Sequence, residues 1–309
     1  MQRPPPLRNC LFYPVTTGIG LSAVIVTLWW WNGATIGGMT MNYLAFRTEP
    51  WRLVTSALPH GDLFHLLFNL YWLWAFGTQI ERIFGSSRTF AIMVFLAIGS
   101  GVAEYAVLSG GIGLSGVGYG LFGLIWVLSR SDSRFFGLID KQVVTLFIGW
   151  FILCILFTIS NTMPVANVAH GAGAGLGILL GLIIAARTRW LQIGYGMLIS
   201  IVFIAIMAAG SVGRRYVNFS DAVVKEESYR AQVLAHDAYQ AILKVDYNRA
   251  ADLYRQALAI DANNAGLWYN LGLVYRHLDL RNESTEAFRR ACELAPEDKD
   301  FKRALEDSR

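Results

Sequence analysis

Two residues of this chain have the types and setting of a nucleophile and its base. Ser115 follows a glycine-rich stretch and begins an apolar segment that ends near Leu128, and His170 lies about six residues inside a later apolar segment that opens at Pro164. A serine hydroxyl is a weak nucleophile until a base takes its proton, and a neutral histidine can take that proton and later protonate a leaving amine. No acidic residue is obviously placed to orient His170, so the residues favour a Ser–His dyad over a triad.

A tetrahedral intermediate would also need hydrogen-bond donors aimed at its oxyanion. The candidates are the backbone N–H of Ser115 and the side chains of His65 and Asn69, which are four residues apart and share one helix face. Tyr119, one turn after Ser115, has two interpretations: it packs against His170 and holds the ring, or it is an aromatic residue of a membrane core.

Each of these residues alone also has a purely structural interpretation. A single serine in a membrane helix usually bonds its own helix, and polar pairs such as His65 and Asn69 suit contacts between helices. Ionisable groups at membrane depth are rare and usually functional. Structural roles do not predict that all these side chains meet at one depth, so their combination favours chemistry.

The segments that carry these residues belong to a membrane protein with a polar tail. The chain has 309 residues, 54% of them hydrophobic and 16% charged, with a mean hydropathy of +0.41. We predict a membrane domain over 1–213, a linker over 214–230 and a soluble domain over 231–309. The net charge of +4 is small and most basic residues flank apolar segments, so nothing indicates nucleic acid as a partner. The three cysteines are too widely spaced to suggest a disulfide framework or a metal site.

Seven apolar segments are predicted to span the membrane. The fourth, from Ser115 to Leu128, would cover roughly 21 Å of a hydrocarbon core of roughly 30 Å. Ser115 therefore starts its helix inside the membrane, where irregular backbone is tolerated only if it is buried in protein or lines a wet cavity. The predicted spans are about 12–33, 63–80, 89–108, 115–129, 143–160, 164–186 and 190–210.

Basic residues set the predicted orientation, because they favour the cytoplasmic side. They precede the first span and occupy alternate connections, which places the N-terminus in the cytoplasm and the tail outside; Arg214 and Arg215 argue weakly against this. The second, fourth and sixth spans then begin at the outer face, and the candidate side chains meet in the outer leaflet. Glycine stripes on the sixth and fourth spans predict that these two helices pack closely, with His170 facing Ser115. The stripes are Gly173, Gly177 and Gly181, and Gly116, Gly120 and Gly123.

These motifs, in this order, resemble the rhomboid family of intramembrane serine proteases. The match runs from Trp51 to Gly181 and rests on the family's GxSG, its AHxxGxxxG helix, two histidines and an asparagine on the second helix, and a WR pair. GxSG alone is a weak signal, whereas the whole set at these spacings is specific. In this sequence the motifs are Gly113-Leu114-Ser115-Gly116, Ala169-His170-Gly171-Ala172-Gly173 with Gly177, His60 with His65 and Asn69, and Trp51-Arg52.

The resemblance implies an all-α fold, a polytopic membrane bundle of six core helices with one further helix here. It implies cleavage of single-pass membrane proteins in or near their transmembrane segment, with Ser115 as nucleophile, His170 as base, and His65 and Asn69 supporting the oxyanion. No metal or organic cofactor is implied, and a bacterial plasma membrane is the expected location. Residues expected to have structural roles near the site are His60, Tyr119, Gly113, Gly116, Trp51 and Arg52.

The sequence also predicts the positions of a loop and of an acidic residue near the site. The first loop, Gly37 to Gly61, is expected to lie partly in the outer leaflet and to act as a gate, with Trp51 at the interface. Glu104, near the end of the third span, is expected to reach the outer interface and is given no role.

The tail repeats with a period of 34 residues, which is typical of tetratricopeptide (TPR) repeats. We predict units at about 231–264 and 265–298 and a polar capping helix at 299–309; an ordinary pair of helical hairpins is the other interpretation. Such repeats bind proteins or peptides on their concave face, so we expect the tail to recruit substrate or an adaptor. The marker residues of the second copy are Trp268, Leu271, Gly272, Tyr275, Phe288, Ala291 and Pro296.

The sequence favours a protease over two other function classes. A rhomboid-like pseudoprotease, which binds membrane helices without cleaving them, would be signalled by loss of Ser115 or His170, and both are present. A transporter or channel would require charged groups at the membrane midplane or repeated broken helices, and the membrane domain shows neither clearly.

Overall fold

A computed structural model describes residues 4–160, 162–220 and 222–308, without the side chains of 222–229. The chain divides into two compact units, Met1–Ser220 and Asp221–Arg309. Every regular element among the described residues is helical, as the sequence predicts.

Long helices of the first unit fall on all of the predicted spans. They are α1 Pro14–Trp31, α2 with consecutive pieces Leu63–Trp72, Leu73–Gly77 and Thr78–Phe84, α3 Ser86–Val107, α4 Ser115–Leu128, α5 Lys141–Ile159, α6 Asn167–Ala185 and α7 Arg189–Gly210. By length and composition, α1, α3, α5, α6 and α7 are able to cross a membrane. The middle piece of α2 is a π-helical turn, and α4 is short, as predicted.

A buried carboxylate holds the start of α1 against the turn between α2 and α3. Glu81 accepts hydrogen bonds from the backbone N–H groups of Val15 and Thr16, each at 2.9 Å, and from the hydroxyls of Thr16 and Ser86, each at 2.8 Å. The first N–H groups of a helix have no partner within the helix, and the positive end of its dipole favours an anion. Glu81 is therefore satisfied although it is only 4% exposed.

The backbones of α4 and α6 touch through the two glycine stripes, as the sequence predicts. A Cβ atom at Gly173 would lie 2.1 Å from the carbonyl oxygen of Gly116, and one at Gly177 would lie 1.9 Å from that of Gly120. Both distances are far shorter than a carbon–oxygen contact allows. Only glycine permits this approach, which brings the N-terminal ends of the two helices together.

The second unit consists of helical pairs followed by one further helix. The elements are α8 Ala222–Leu243, α9 Tyr247–Ile260, α10 Ala265–His277, α11 Arg281–Leu294 and α12 Lys299–Asp307. Gly272 lies where the ring of Phe288 crosses α10, since a Cβ there would be 2.6 Å from the ring. Ser284 also bonds the Gly272 carbonyl at 2.8 Å. Helices α8 to α11 cover the two predicted repeats, although α8 begins at Ala222 rather than near residue 231, and α12 lies in the predicted capping segment.

The segment predicted as a linker, 214–230, is largely helical instead. Arg214–Val217 forms a short helix, α8 begins at Ala222, and residue 221 lies outside the described residues. The polar composition of 222–230 resembles a linker, but it is also compatible with the first turns of an amphipathic helix. The division between the two units falls inside this segment.

The glycine contact predicts a large difference between two neighbouring substitutions on α6. Gly177→Ala forces α4 and α6 apart, because the new methyl group meets backbone. Gly175→Ala is the matched control, since no atom lies within 4 Å of its Cβ position, and it should be neutral or stabilising by about 0.5–1 kcal/mol. Thermal unfolding in mild detergent should show a clearly lower midpoint for Gly177→Ala only. Equal midpoints for the two variants would contradict this account.

Candidate active site

The serine and histidine singled out by the sequence lie in hydrogen-bonding contact. Ser115 is the first residue of α4, and His170 lies in the first turn of α6. The Oγ atom of Ser115 is 2.8 Å from Nε2 of His170, whose side chain is almost fully buried. This distance suits direct proton transfer from the hydroxyl to the imidazole.

The ring of His170 is held by stacking rather than by an acid. The Tyr119 ring lies against it with centroids 4.6 Å apart and planes inclined by 22°. Tyr119 is itself fixed, because its hydroxyl donates to the carbonyl of Phe147 at 3.0 Å. Among the described residues, no protein group bonds Nδ1 of His170. Tyr119 thus packs against His170 and is also part of the hydrophobic core, so both of its predicted settings occur together.

His60 and His65 lie beside the loop that leads to Ser115. The Nδ1 atom of His60 is 2.9 Å from the carbonyl oxygen of Leu58, so a proton on Nδ1 leaves Nε2 to accept the N–H of Leu114 at 3.3 Å. The two histidine rings meet edge to face with centroids 4.8 Å apart. Gly113 has φ +103°, and a Cβ there would be 2.7 Å from the ring of His65. His60 and Gly113 thus shape the backbone immediately before Ser115.

The other predicted site residues make contacts outside the Ser115–His170 pair. The Asn69 amide donates to the carbonyl of His65 at 2.9 Å, one turn back on its own helix. Arg52 is buried, pairs with Glu49 and donates to the carbonyl of Thr40 at 2.8 Å, and Trp51 donates to the Gly38 carbonyl at 3.1 Å. Trp51 and Arg52 therefore hold the first loop together.

A small open cavity, with room for about one water molecule, lies beside Ser115, between α3, the first loop and the start of α6. Its walls are mostly small side chains and glycine backbone, with one carboxylate. Gly116 lies close against α3 at this cavity, because a Cβ there would meet the Ser100 hydroxyl at 2.4 Å. The lining includes Ser56, Gly101, Glu104, Gly111, Ser115 and Ala166.

Glu104, to which the sequence assigns no role, contacts the helix that carries His170. It is 3% exposed and its Oε2 atom accepts the backbone N–H of Ala169 at 2.9 Å, so it binds the start of α6 next to His170. The sequence did not predict this contact, in which the carboxylate is buried between α3 and α6. A carboxylate within a membrane span is a signal for such a role, since it needs donors and a helix N-terminus supplies them.

Comparison with known proteins finds similarity in both parts of the chain. The Rhomboid domain family matches residues 47–187, and tetratricopeptide repeat families match 246–278 and 265–298. The chain is similar to the rhomboid protease GlpG of Photorhabdus laumondii, with 33% identity over 177 residues. The matched part is 55% of this chain and spans 61% of the length of that relative.

The Glu104 contact predicts a graded response of Ser115 reactivity. Glu104→Gln keeps an oxygen that accepts the Ala169 N–H. Glu104→Ala leaves that N–H without a partner, and the loss of such a helix cap lowers the free energy of unfolding by about 0.5–2 kcal/mol. The rate at which a fluorophosphonate labels Ser115 should therefore fall several-fold more in the alanine variant than in the glutamine variant. If Ser115 in Glu104→Ala is labelled at the wild-type rate, Glu104 does not help to position His170.

Proposed function

Because the chain carries a rhomboid domain followed by tetratricopeptide repeats, we propose that it is an intramembrane serine endopeptidase. Its substrates are single-pass membrane proteins, cleaved in or near their transmembrane segment. The observation that supports this most directly is the 2.8 Å contact between Ser115 Oγ and His170 Nε2 at the start of two touching helices.

The proposed reaction is a two-step acyl transfer. His170 takes the Ser115 proton as Oγ attacks the peptide carbonyl, and the imidazolium then protonates the leaving amine. A water molecule, activated by the same histidine, hydrolyses the acyl-enzyme. The cavity beside Ser115 is the route that we assign to this water, because it is open and lies against the serine.

The oxyanion is assigned to donors on two elements. The N–H of Ser115 lies in the first turn of α4, where backbone donors have no partner within the helix. The Asn69 amide carries two N–H bonds, and one reaches the carbonyl of His65. We assign the second N–H of Asn69, together with His65, to the oxyanion.

The proposed setting is a bacterial plasma membrane, with the N-terminus in the cytoplasm and the tail outside. The distribution of basic residues between the spans supports this orientation. Arg214, which argues against it in the sequence, is buried and binds backbone carbonyls, so it is a weak topological signal. The proposed role of the repeats, on the outer side of the membrane, is to recruit a substrate or an adaptor.

The serine–histidine mechanism is tested by labelling purified protein in mild detergent. Wild type should react with a fluorophosphonate at Ser115 and cleave a generic single-pass substrate, whereas Ser115→Ala and His170→Ala should lose both activities and stay folded. Ser129→Ala, at the other end of the same helix, is the matched control and should behave as wild type. Folded wild type that neither labels nor cleaves would instead favour a pseudoprotease.

The role of the repeats is tested by ending the chain at Ser220. The truncated protein should label at Ser115 and cleave the generic substrate at rates close to wild type, because the site lies within the first unit. Cleavage of native substrates, identified by comparing membrane proteomes with and without the enzyme, should fall. Unchanged cleavage of every native substrate would show that the repeats do not recruit them.

A further inference from the structure

The segment that follows α7 binds the end of α3 through a buried arginine. Arg214 is 6% exposed, and its Nε atom donates to the Tyr105 carbonyl at 2.8 Å while Nη2 donates to the Leu108 carbonyl at 3.2 Å. The guanidinium carbon also lies 3.7 Å from the centre of the Tyr105 ring. A cation at a helix C-terminus is favourable, because the last carbonyls have no partner within the helix and carry the negative end of the dipole.

Asn218 completes this contact. Its Nδ2 atom is 2.7 Å from the carbonyl oxygen of Leu108, 3.1 Å from that of Ala106 and 3.3 Å from that of Tyr105. Its Oδ1 atom meanwhile accepts the N–H and the hydroxyl of Ser220. We call Arg214 and Asn218 the α3 clamp, because together they bind the carbonyls that end that helix.

The chain that leaves the α3 clamp leads directly to Ser115. Residues 108–114 connect α3 to α4, and Gly110 and Gly113 in this connection have φ +90° and +103°. Glycine-rich backbone has many accessible conformations, so its position depends on how its ends are held. The far end is bound where the N–H of Gly113 donates to Ser56 and that of Leu114 donates to His60, each at 3.3 Å.

We propose that Arg214 and Asn218 are positioning residues for the reaction at Ser115. The α3 clamp holds the near end of the 108–114 connection as Ser56 and His60 hold its far end, and this sets the placement of the Ser115 N–H and hydroxyl. The proposal rests on the proposed function for its effect on turnover, but not for its effect on the connection itself. On this proposal, the segment that follows α7 helps to position the reacting groups of Ser115.

The test compares two clamp variants with a matched neighbour. Asn218→Asp keeps the oxygen that binds Ser220 but loses the N–H donors and directs a negative charge at the α3 carbonyls. Arg214→Ala removes the guanidinium, Arg214→Lys restores the charge and one donor, and Arg215→Ala removes an exposed arginine one residue away. Each full-length variant is purified in detergent, and its thermal midpoint, its kcat and KM for a generic single-pass substrate, and its Ser115 labelling rate are measured.

Asn218→Asp and Arg214→Ala should lower kcat and the labelling rate by about 10- to 100-fold at temperatures where they are folded, because small displacements of reacting groups are costly. KM should change little, Arg214→Lys should recover part of the loss, and Arg215→Ala should match wild type. A lower midpoint with wild-type labelling in both clamp variants would mean a purely structural role and overturn the proposal.

Hydrogen–deuterium exchange separates this proposal from the proposed function. Backbone amides of residues 108–115 should exchange faster in Asn218→Asp and Arg214→Ala than in wild type and Arg215→Ala. If wild type neither labels nor cleaves, the protease assignment fails, and exchange alone then decides whether the α3 clamp holds the connection. Unchanged exchange in both clamp variants would overturn the proposal whatever the activity.

Discussion

The contact between the α4 and α6 backbones is the constraint on which the candidate site depends. Membrane helices gain no hydrophobic free energy from leaving lipid for one another, so their association relies on close van der Waals contact and hydrogen bonds. Glycine facing glycine allows the two helix axes to approach until carbonyl oxygens meet Cα atoms. Because both helices begin at the site, this contact sets the separation of Ser115 and His170 without any direct bond being needed to do so.

Several helix ends of the first unit are buried in the protein. In a medium without water each unpaired backbone group costs several kcal/mol, so a helix that begins or ends inside the protein needs a dedicated partner. Glu81 accepts a backbone N–H at the start of α1, and Glu104 accepts one at the start of α6. His60 accepts the N–H of the residue before α4, and Arg214 donates to a carbonyl at the end of α3. The polar groups of this unit thus make short helices and glycine loops possible inside the protein.

The sequence predicted the helices and the Ser115–His170 pair because apolar run length, glycine spacing and the motifs are local signals. It did not predict the partner of Glu104, because a lone acid does not indicate which helix terminus it faces. In the sequence Arg214 resembles a topological charge for the same reason, since its carbonyl partners lie more than a hundred residues earlier. Asn69 shows a further limit: spacing places it on the face of His65, but only the side-chain conformation directs its amide to the His65 carbonyl.

The hydrogen bonds of Asn218 also bear on carbohydrate attachment. Asn218-Phe219-Ser220 has the form of an N-glycosylation acceptor, in which the sugar is joined to the side-chain nitrogen. In the folded chain that nitrogen lies against three backbone carbonyls, and the side-chain oxygen binds Ser220. A glycan would replace one of the two hydrogens on this nitrogen, so the complete set of native hydrogen bonds to the three carbonyls could not form. When the protein is produced in a host with a secretory glycosylation pathway, a sugar on Asn218 would mark molecules that were modified before this part of the chain folded.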